Sequence, residues 1–274
     1  MKIRLPAKRT YLAHLNKYGQ YSQNAKWNKW YAGVAGLKGK RVARTLLNYK
    51  DESVRVMDLG CGIGLTLTVL GQVFPNSVGV DVFDKEVKAT KEILKATGVN
   101  AKVVKYDGKI LPFAAKTFDV VTSIEVIEHV SDPEQMLREI RRVLKPDGIL
   151  HITTANKLWP IEPHFKLPFL SYLPPEISDW YVRISGRGDN YQNIHLPTYG
   201  EFREMVEKYF EVEDITLDVI ADYKKYGLDS ERGPIIVWVS RIIRVFRRVS
   251  LVESVLLWMS LGWLFIARPK YEKH

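Results

Sequence analysis

The sequence predicts an α/β protein built on a doubly wound, mainly parallel sheet. Three observations carry that expectation. Between residues 54 and 154, short apolar runs alternate with helix-like stretches over short connections. The first run breaks abruptly into glycines at alternate positions, Gly60, Gly62 and Gly64. An acid stands at or near the end of each of the first three strands: Asp58, Asp81 and Asp107. Ligands of such sheets bind beyond the strands' C-terminal ends.

The elements follow in order. Residues 1–50 show no strand pattern and carry twelve Lys or Arg with no acid. Tyr11, Tyr18, Tyr21, Trp27, Trp30 and Tyr31 are interleaved with those bases, and 37–48 reads as a helix. Such interleaving can stack nucleic acid; the reading preferred here is an N-terminal basic and aromatic lid over the main domain, 51–274. Strand 54–59 leads through the glycine turn to helix 64–74. Glycine permits positive φ and close backbone approach, and the helix start beyond it favours an anionic group. Strand 77–82, helix 85–97 and strand 101–106 follow. Strand 118–124, helix 133–144 and, after Lys-Pro-Asp-Gly, strand 148–154 complete the alternation. Thr198 and Glu201 form a capping box that opens helix 199–209, ahead of strand 210–219. The one cysteine, Cys61, excludes an internal disulfide and suits a reducing, cytoplasmic setting, and the first residues lack the apolar core of a signal peptide.

The spacing Gly-x-Gly-x-Gly after Asp58 differs from the dinucleotide fingerprint. It resembles motif I of the class I S-adenosylmethionine-dependent methyltransferases, and the resemblance covers residues 54–154. It implies a Rossmann-like, seven-stranded sheet whose last strand is antiparallel, and 262–268 is the segment that suits that strand. It also implies S-adenosylmethionine as cofactor. Asp58, Gly60, Gly62 and Gly64 would seat its methionine end, Asp81 with Val82 its ribose, and Asp107 with Gly108 its adenine. After the fourth strand comes Glu125-Val-Ile-Glu128-His129. This pattern resembles the ubiquinone-biosynthesis O-methyltransferases and the small-RNA 2′-O-methyltransferases, in which these side chains hold a divalent metal. In the RNA enzymes a second histidine joins from the segment before the next helix, where His195 stands here. Glu125, Glu128, His129 and His195 are therefore the candidate metal ligands, with Glu125 also bordering the cofactor. Two carboxylates and two imidazoles suit manganese, iron or zinc better than magnesium. Without metal, His129 or His195 could act as general base, and Glu128 completes the catalytic candidates.

Two segments exceed a minimal domain. The proline-rich, aromatic run within 155–197 is expected to lie over the site as a substrate cap, with helix at 180–184. In 233–261, Ile235, Trp238, Val239, Ile242, Val245, Phe246 and Val249 share one helical face, and Arg241, Arg244 and Arg248 the other. That is the pattern of an interfacial membrane helix. The apolar stretch after it contains Glu253, so it reads as a second helix before the last strand and not as a span. The same face could instead serve a homodimer. The resulting expectation is methylation of an oxygen on a small or lipid-like acceptor, such as a quinone precursor or lipid-linked sugar, by a cytoplasmic protein peripheral on the membrane's inner face. RNA 2′-O-methylation, favoured by the formal charge of +10, and an inactive cofactor-binding module are the alternatives. No Asn-Pro-Pro-Tyr-like tetrapeptide follows the fourth strand, which weighs against amino-group methylation.

Overall fold

The computed structural model describes residues 3, 5–19, 25–192, 194–228, 233–247 and 249–270, with side chains for all of these except 233–235. Tyr21, Arg248, the side chain of Ile235 and the tail beyond 270 lie outside the described residues. Two helices come first, α1 (Lys8–Tyr18) and α2 (Ala25–Leu47). β1 (Val56–Leu59), α3 (Leu67–Val73), β2 (Val78–Asp81), α4 (Asp84–Thr97) and β3 (Lys102–Lys105) follow. Next are β4 (Phe118–Ile124), α5 (Pro133–Val143) and β5 (Leu144–Ala155). The remainder is α6 (Pro175–Ile184), α7 (Tyr199–Glu207), β6 (Phe210–Asp214), α8 (Thr216–Ala221), α9 (Gly233–Phe246), α10 (Ser250–Trp258) and β7 (Gly262–Pro269).

The strands form one sheet in the order β3-β2-β1-β4-β5-β7-β6. Only β7 is antiparallel, and it lies between β5 and β6. This is the doubly wound sheet that the strand–helix alternation predicts, with the seven strands that the resemblance implies. Every residue of β1 is buried, as expected of a central parallel strand covered on both faces. One face packs Met57, Leu59, Val121, Leu150 and Phe265 against α5 and α7. The other packs Val56, Val120, Ile149 and Ile266 against Val42 and Leu46 of α2, Leu70 of α3 and Val219 of α8. Each such aliphatic side chain contributes roughly 1.5–3 kcal/mol on burial. Strand order turns back between β1 and β4, which opens the crevice at their C-terminal ends.

Local chemistry sets the boundaries. The capping box of α7 is present, with Thr198 Oγ1 accepting from Glu201 N and the Glu201 carboxylate accepting from Thr198 N. Asp132 caps α5 through Gln135 N at 2.9 Å. α3 begins later than expected, at Leu67, because Gly64 sits at φ 81° and cannot belong to a helix. The sixth strand ends at Asp214 and not near 219: Asp214 Oδ1 accepts from Thr216 N at 2.9 Å and turns the chain into α8. There Ile215 and Val219 are both buried, one turn apart.

α9 has the two faces the sequence divides it into, but Arg244, and Arg247 just past its end, are taken up by α8 and the residue that follows it. Arg244 donates to the Ala221 carbonyl at 2.7 Å and pairs with Asp222 at 3.3 Å, while Arg247 pairs with Asp218. Ile236, Ser240 and Ile243 turn inward. Trp238 and Val245 stay 67% and 68% exposed, alongside Ile242 and Phe246. Among the described residues, no helix is long and apolar enough to cross a membrane.

Candidate active site

The glycine loop leaves β1 with Gly60, Gly62 and Gly64 all at positive φ, between 54° and 81°. Gly60 is also sterically required, since a Cβ there would lie 2.5 Å from Val126. A Cβ on Gly62 would meet nothing within 4 Å, so this part of the loop faces open space. Asp58 lies buried beneath it. Its Oδ1 accepts from Thr122 Oγ1 at 2.7 Å, and its Oδ2 has no partner among the described residues. Burial pushes this carboxyl up to about 6. Asp81 holds the loop from below, accepting from Gly62 N at 2.9 Å and from Phe83 N at 3.2 Å. Asp107 is exposed and caps its own turn by accepting from Lys109 N and Ile110 N, both at 2.8 Å. Gly108 lies against Val82, its notional Cβ 3.4 Å from that side chain. The eight acids, glycines and neighbours expected around the cofactor thus follow the C-terminal ends of β1, β2 and β3 in chain order.

β4 ends in a strained residue: Glu125 takes φ 56°, a conformation that side chains with a Cβ rarely adopt. It redirects the chain into the short 3₁₀ turn Ile127–His129. Glu125 itself reaches Lys38 of α2 at 2.7 Å, and that ammonium holds its carboxyl down to about 2. Glu128 is fully buried, and burial raises it to about 7. Its Oε2 accepts from Thr154 Oγ1 at 3.1 Å, while Oε1 is without a hydrogen-bond partner among the described residues.

The imidazole that joins Glu128 and His129 comes from the cap insertion, from His164. Its Nε2 lies 3.9 Å from Glu128 Oε1, and its ring meets that of His129 edge to face at 5.0 Å. Glu162, wholly buried, accepts from His164 Nδ1 at 2.7 Å, which aims Nε2 at Glu128. Burial opposes the imidazolium, but the hydrogen bond to Glu162 and the charges of Glu162, Glu128 and Glu125 together outweigh it, and His164 titrates above the ordinary histidine range. Ligand atoms of Glu128, His129 and His164 all lie within 4.8 Å of one another. The carboxylate–histidine pair and the unused Glu128 oxygen fit a divalent metal. Glu125 and His195 do not join this group. Glu125 is committed to Lys38. His195 donates its backbone N–H to the Glu128 carbonyl at 2.8 Å, and the extended chain buries Leu196 while leaving the His195 ring exposed.

One cavity of about 1110 Å³ joins these parts. It runs from Asp58, Gly60 and Gly62 past Glu125, His129 and His164 to Ile243, Leu256 and Met259 of the last helices. Trp27, Trp30, Tyr31 and Lys38 line it from α2. α1 is fixed over the loop by Tyr11 Oη, 3.1 Å from the Leu65 carbonyl, and by His14 Nε2, 2.9 Å from the Ile63 carbonyl.

Sequence comparison gives this geometry its class. Residues 57–152 match a methyltransferase domain family. The match covers about a third of the chain, from β1 into β5, and supports a class I, S-adenosylmethionine-dependent methyltransferase domain there. The partnerless Asp58 oxygen and the open face of Gly62 fit the ammonium end of that cofactor. The ubiquinone biosynthesis O-methyltransferase of Rhizobium etli (strain CIAT 652) is 33% identical over 106 residues, 39% of this chain and 43% of that protein. The chain thus spans less than half the length of this relative. Among solved structures, the PH0226 protein from Pyrococcus horikoshii OT3 superposes with a TM-score of 0.55 at 17% identity, over 97% of this chain and all of that one. The phospholethanolamine N-methyltransferase 2 of Haemonchus contortus, solved with S-adenosylhomocysteine, gives 0.52 at 18% identity over 97% of this chain and 57% of that one. These two likenesses describe the fold.

Proposed function

We propose that the protein methylates an oxygen of a lipid-like acceptor, drawing on S-adenosylmethionine and working at a membrane surface. The observation that carries this reading is the continuity of the cavity from the glycine loop, past Glu125, His129 and His164, to an apolar end at α9 and α10. When bound, the cofactor supplies an electrophilic sulfonium methyl. Asp58, once ionised, pairs with the cofactor's ammonium through Oδ2, and Asp81 serves the ribose from beneath Gly62. Val82, Asp107 and Gly108 border the adenine. The insertion and the N-terminal helices exclude water from above.

On the acceptor side, Glu128 is buried and titrates near 7, so it can take a proton from an acceptor hydroxyl at working pH. Glu162 holds His164 in one orientation, with Nε2 facing the Glu128 carboxyl at 3.9 Å. Glu128, His129 and His164 would hold a divalent metal, which would lower the pKa of a bound hydroxyl. Catalysis then rests chiefly on alignment of acceptor oxygen, methyl and sulfur. The relative's name supports an oxygen acceptor with apolar substituents. The open apolar faces of α9 and α10, with Leu251 78% and Trp258 59% exposed, support contact with a bilayer surface. Arg241, stacked 5.6 Å from the Trp238 ring, would sit at headgroup level.

The test is a two-part assay. Calorimetric titration with S-adenosylhomocysteine should give micromolar binding that Asp58→Asn weakens at least tenfold. Methyl transfer to an alkylated catechol should then rise when anionic vesicles are added. No binding by the wild type would sink the reading. Binding of short RNA that falls steeply with salt, coupled to its methylation, would favour the RNA alternative, for which the basic α1–α2 surface speaks.

A further inference from the structure

His151 occupies an aliphatic's place. On β5 it stands on the sheet face that otherwise carries Val56, Val120, Ile149 and Ile266, in register with Thr122 of β4 and Ile266 of β7. It is buried, yet neither ring nitrogen has a hydrogen-bond partner among the described residues. Two residues on, Thr153 Oγ1 is likewise buried and partnerless. Leaving such groups unpaired costs their desolvation with nothing gained in return, a cost an aliphatic side chain would not carry. Both line the large cavity, and Arg41 of α2 lines it with them. Burial, and then the Arg41 charge, push the His151 imidazole down to about 4, so it stays neutral and offers one N–H and one lone pair. The walls beyond are apolar, from Leu217, Ile220, Leu228, Ile236 and Ile243.

We propose that Arg41, His151 and Thr153 form an oxyanion subsite, separate from the Glu128–His129–His164 group, that selects an acceptor bearing an acidic head on an apolar chain. A guanidinium, a neutral imidazole N–H and a hydroxyl are three donors suited to a carboxylate or phosphate. The apolar walls take the chain. The inference deepens the acceptor reading above and rests on it.

Octyl phosphate, octanoate, octanol and inorganic phosphate serve as probes, titrated into the full chain saturated with S-adenosylhomocysteine. The two acidic amphiphiles should bind at least tenfold more tightly than octanol, and inorganic phosphate more weakly than either. Arg41→Met should erase the preference for acid over alcohol. His151→Leu should reduce it about tenfold, with octanol affinity and S-adenosylhomocysteine affinity within twofold of wild type. Should His151→Leu fail to fold, Arg41→Met on the partly exposed α2 decides alone. Equal binding of octanol and the acids, or a preference that survives Arg41→Met, overturns the subsite and leaves His151 as a hydrated core residue. Inorganic phosphate binding as tightly as octyl phosphate overturns the amphiphile. Loss of S-adenosylhomocysteine binding by the wild type with the acid preference intact would instead condemn the methyltransferase reading.

Discussion

Glu128 and Asp58 are both carboxyls whose burial favours the neutral form, and each should announce itself in pH dependence. Glu128 titrates at about 7 in the fold against 4.5 ordinarily. Its protonated form is therefore the one the fold favours. That contribution is fully present below pH 4.5 and is lost as pH rises through 7. At about 1.4 kcal/mol per pKa unit, the ionised carboxylate costs the metal-free fold up to roughly 3 kcal/mol. In chelator-treated protein, Glu128→Gln should raise the melting midpoint by several degrees at pH 8 and leave it unchanged at pH 5, while abolishing methyl transfer. A midpoint equally shifted at both pH values would mean the carboxyl is not strained by burial. Asp58 works the other way round, because the cofactor needs its ionised form. With Asp58 at about 6, affinity for S-adenosylhomocysteine should weaken severalfold from pH 7 to pH 5, and Asp58→Asn should flatten that dependence. Asp58, the three glycines and Asp81 are legible in sequence because they stand at fixed distances along the chain, where backbone geometry alone brings them together. His151 was not legible, since a lone histidine within a strand says nothing about which cavity reaches it.

At the scale of elements, periodicity identifies which residues share a face but not which face the protein covers. β1 to β5 follow from alternation and apolar runs, β7 from the resemblance to the methyltransferases, and α7 from its capping box. α8 was hidden inside a run that reads equally well as strand, because Asp214 turns the chain within it. In α9 the division into faces is readable, yet the acids that take up Arg244 and Arg247 lie on α8 and directly after it, and the helical form of α8 was itself unread. Since Ile243 and Leu257 enter the main core, removing α9 and α10 would unfold the domain and report little about membranes. Point changes on the open face are cleaner. Trp238→Glu combined with Val245→Glu should lower sedimentation with anionic vesicles at least tenfold and leave both the melting midpoint and S-adenosylhomocysteine affinity within error. If vesicle binding persists, the face serves some other surface, and a change in oligomeric state on analytical ultracentrifugation would identify a second copy as its occupant.

For the whole molecule, the site depends on segments far apart in sequence that meet only after the sheet has formed. Glu128 and His129 belong to the turn after β4, whereas His164 arrives with the insertion after β5 and Lys38 with α2. Local spacing revealed the first pair. It pointed to His195 for the second imidazole, because the stretch before α7 passes close by; it does so through its backbone, bonded to the Glu128 carbonyl. His164 could be found only from the path of the insertion, where the Glu162 carbonyl accepts from Lys166 N at 2.8 Å and its N–H donates to the Leu167 carbonyl at 2.9 Å. That tight turn buries Glu162 and swings His164 over Glu128. Cofactor and metal binding should consequently separate by mutation. His164→Ala should abolish binding of manganese or zinc, and Glu162→Gln, which loses the aiming carboxylate, should weaken it about 10–100-fold. Both should bind S-adenosylhomocysteine like wild type. Asp58→Asn should show the reverse pattern, retaining metal and losing cofactor. If His164→Ala lost the cofactor as well, with its fold intact by circular dichroism, the insertion would be a structural closure over the whole cavity, and the metal assignment would have to give way to it.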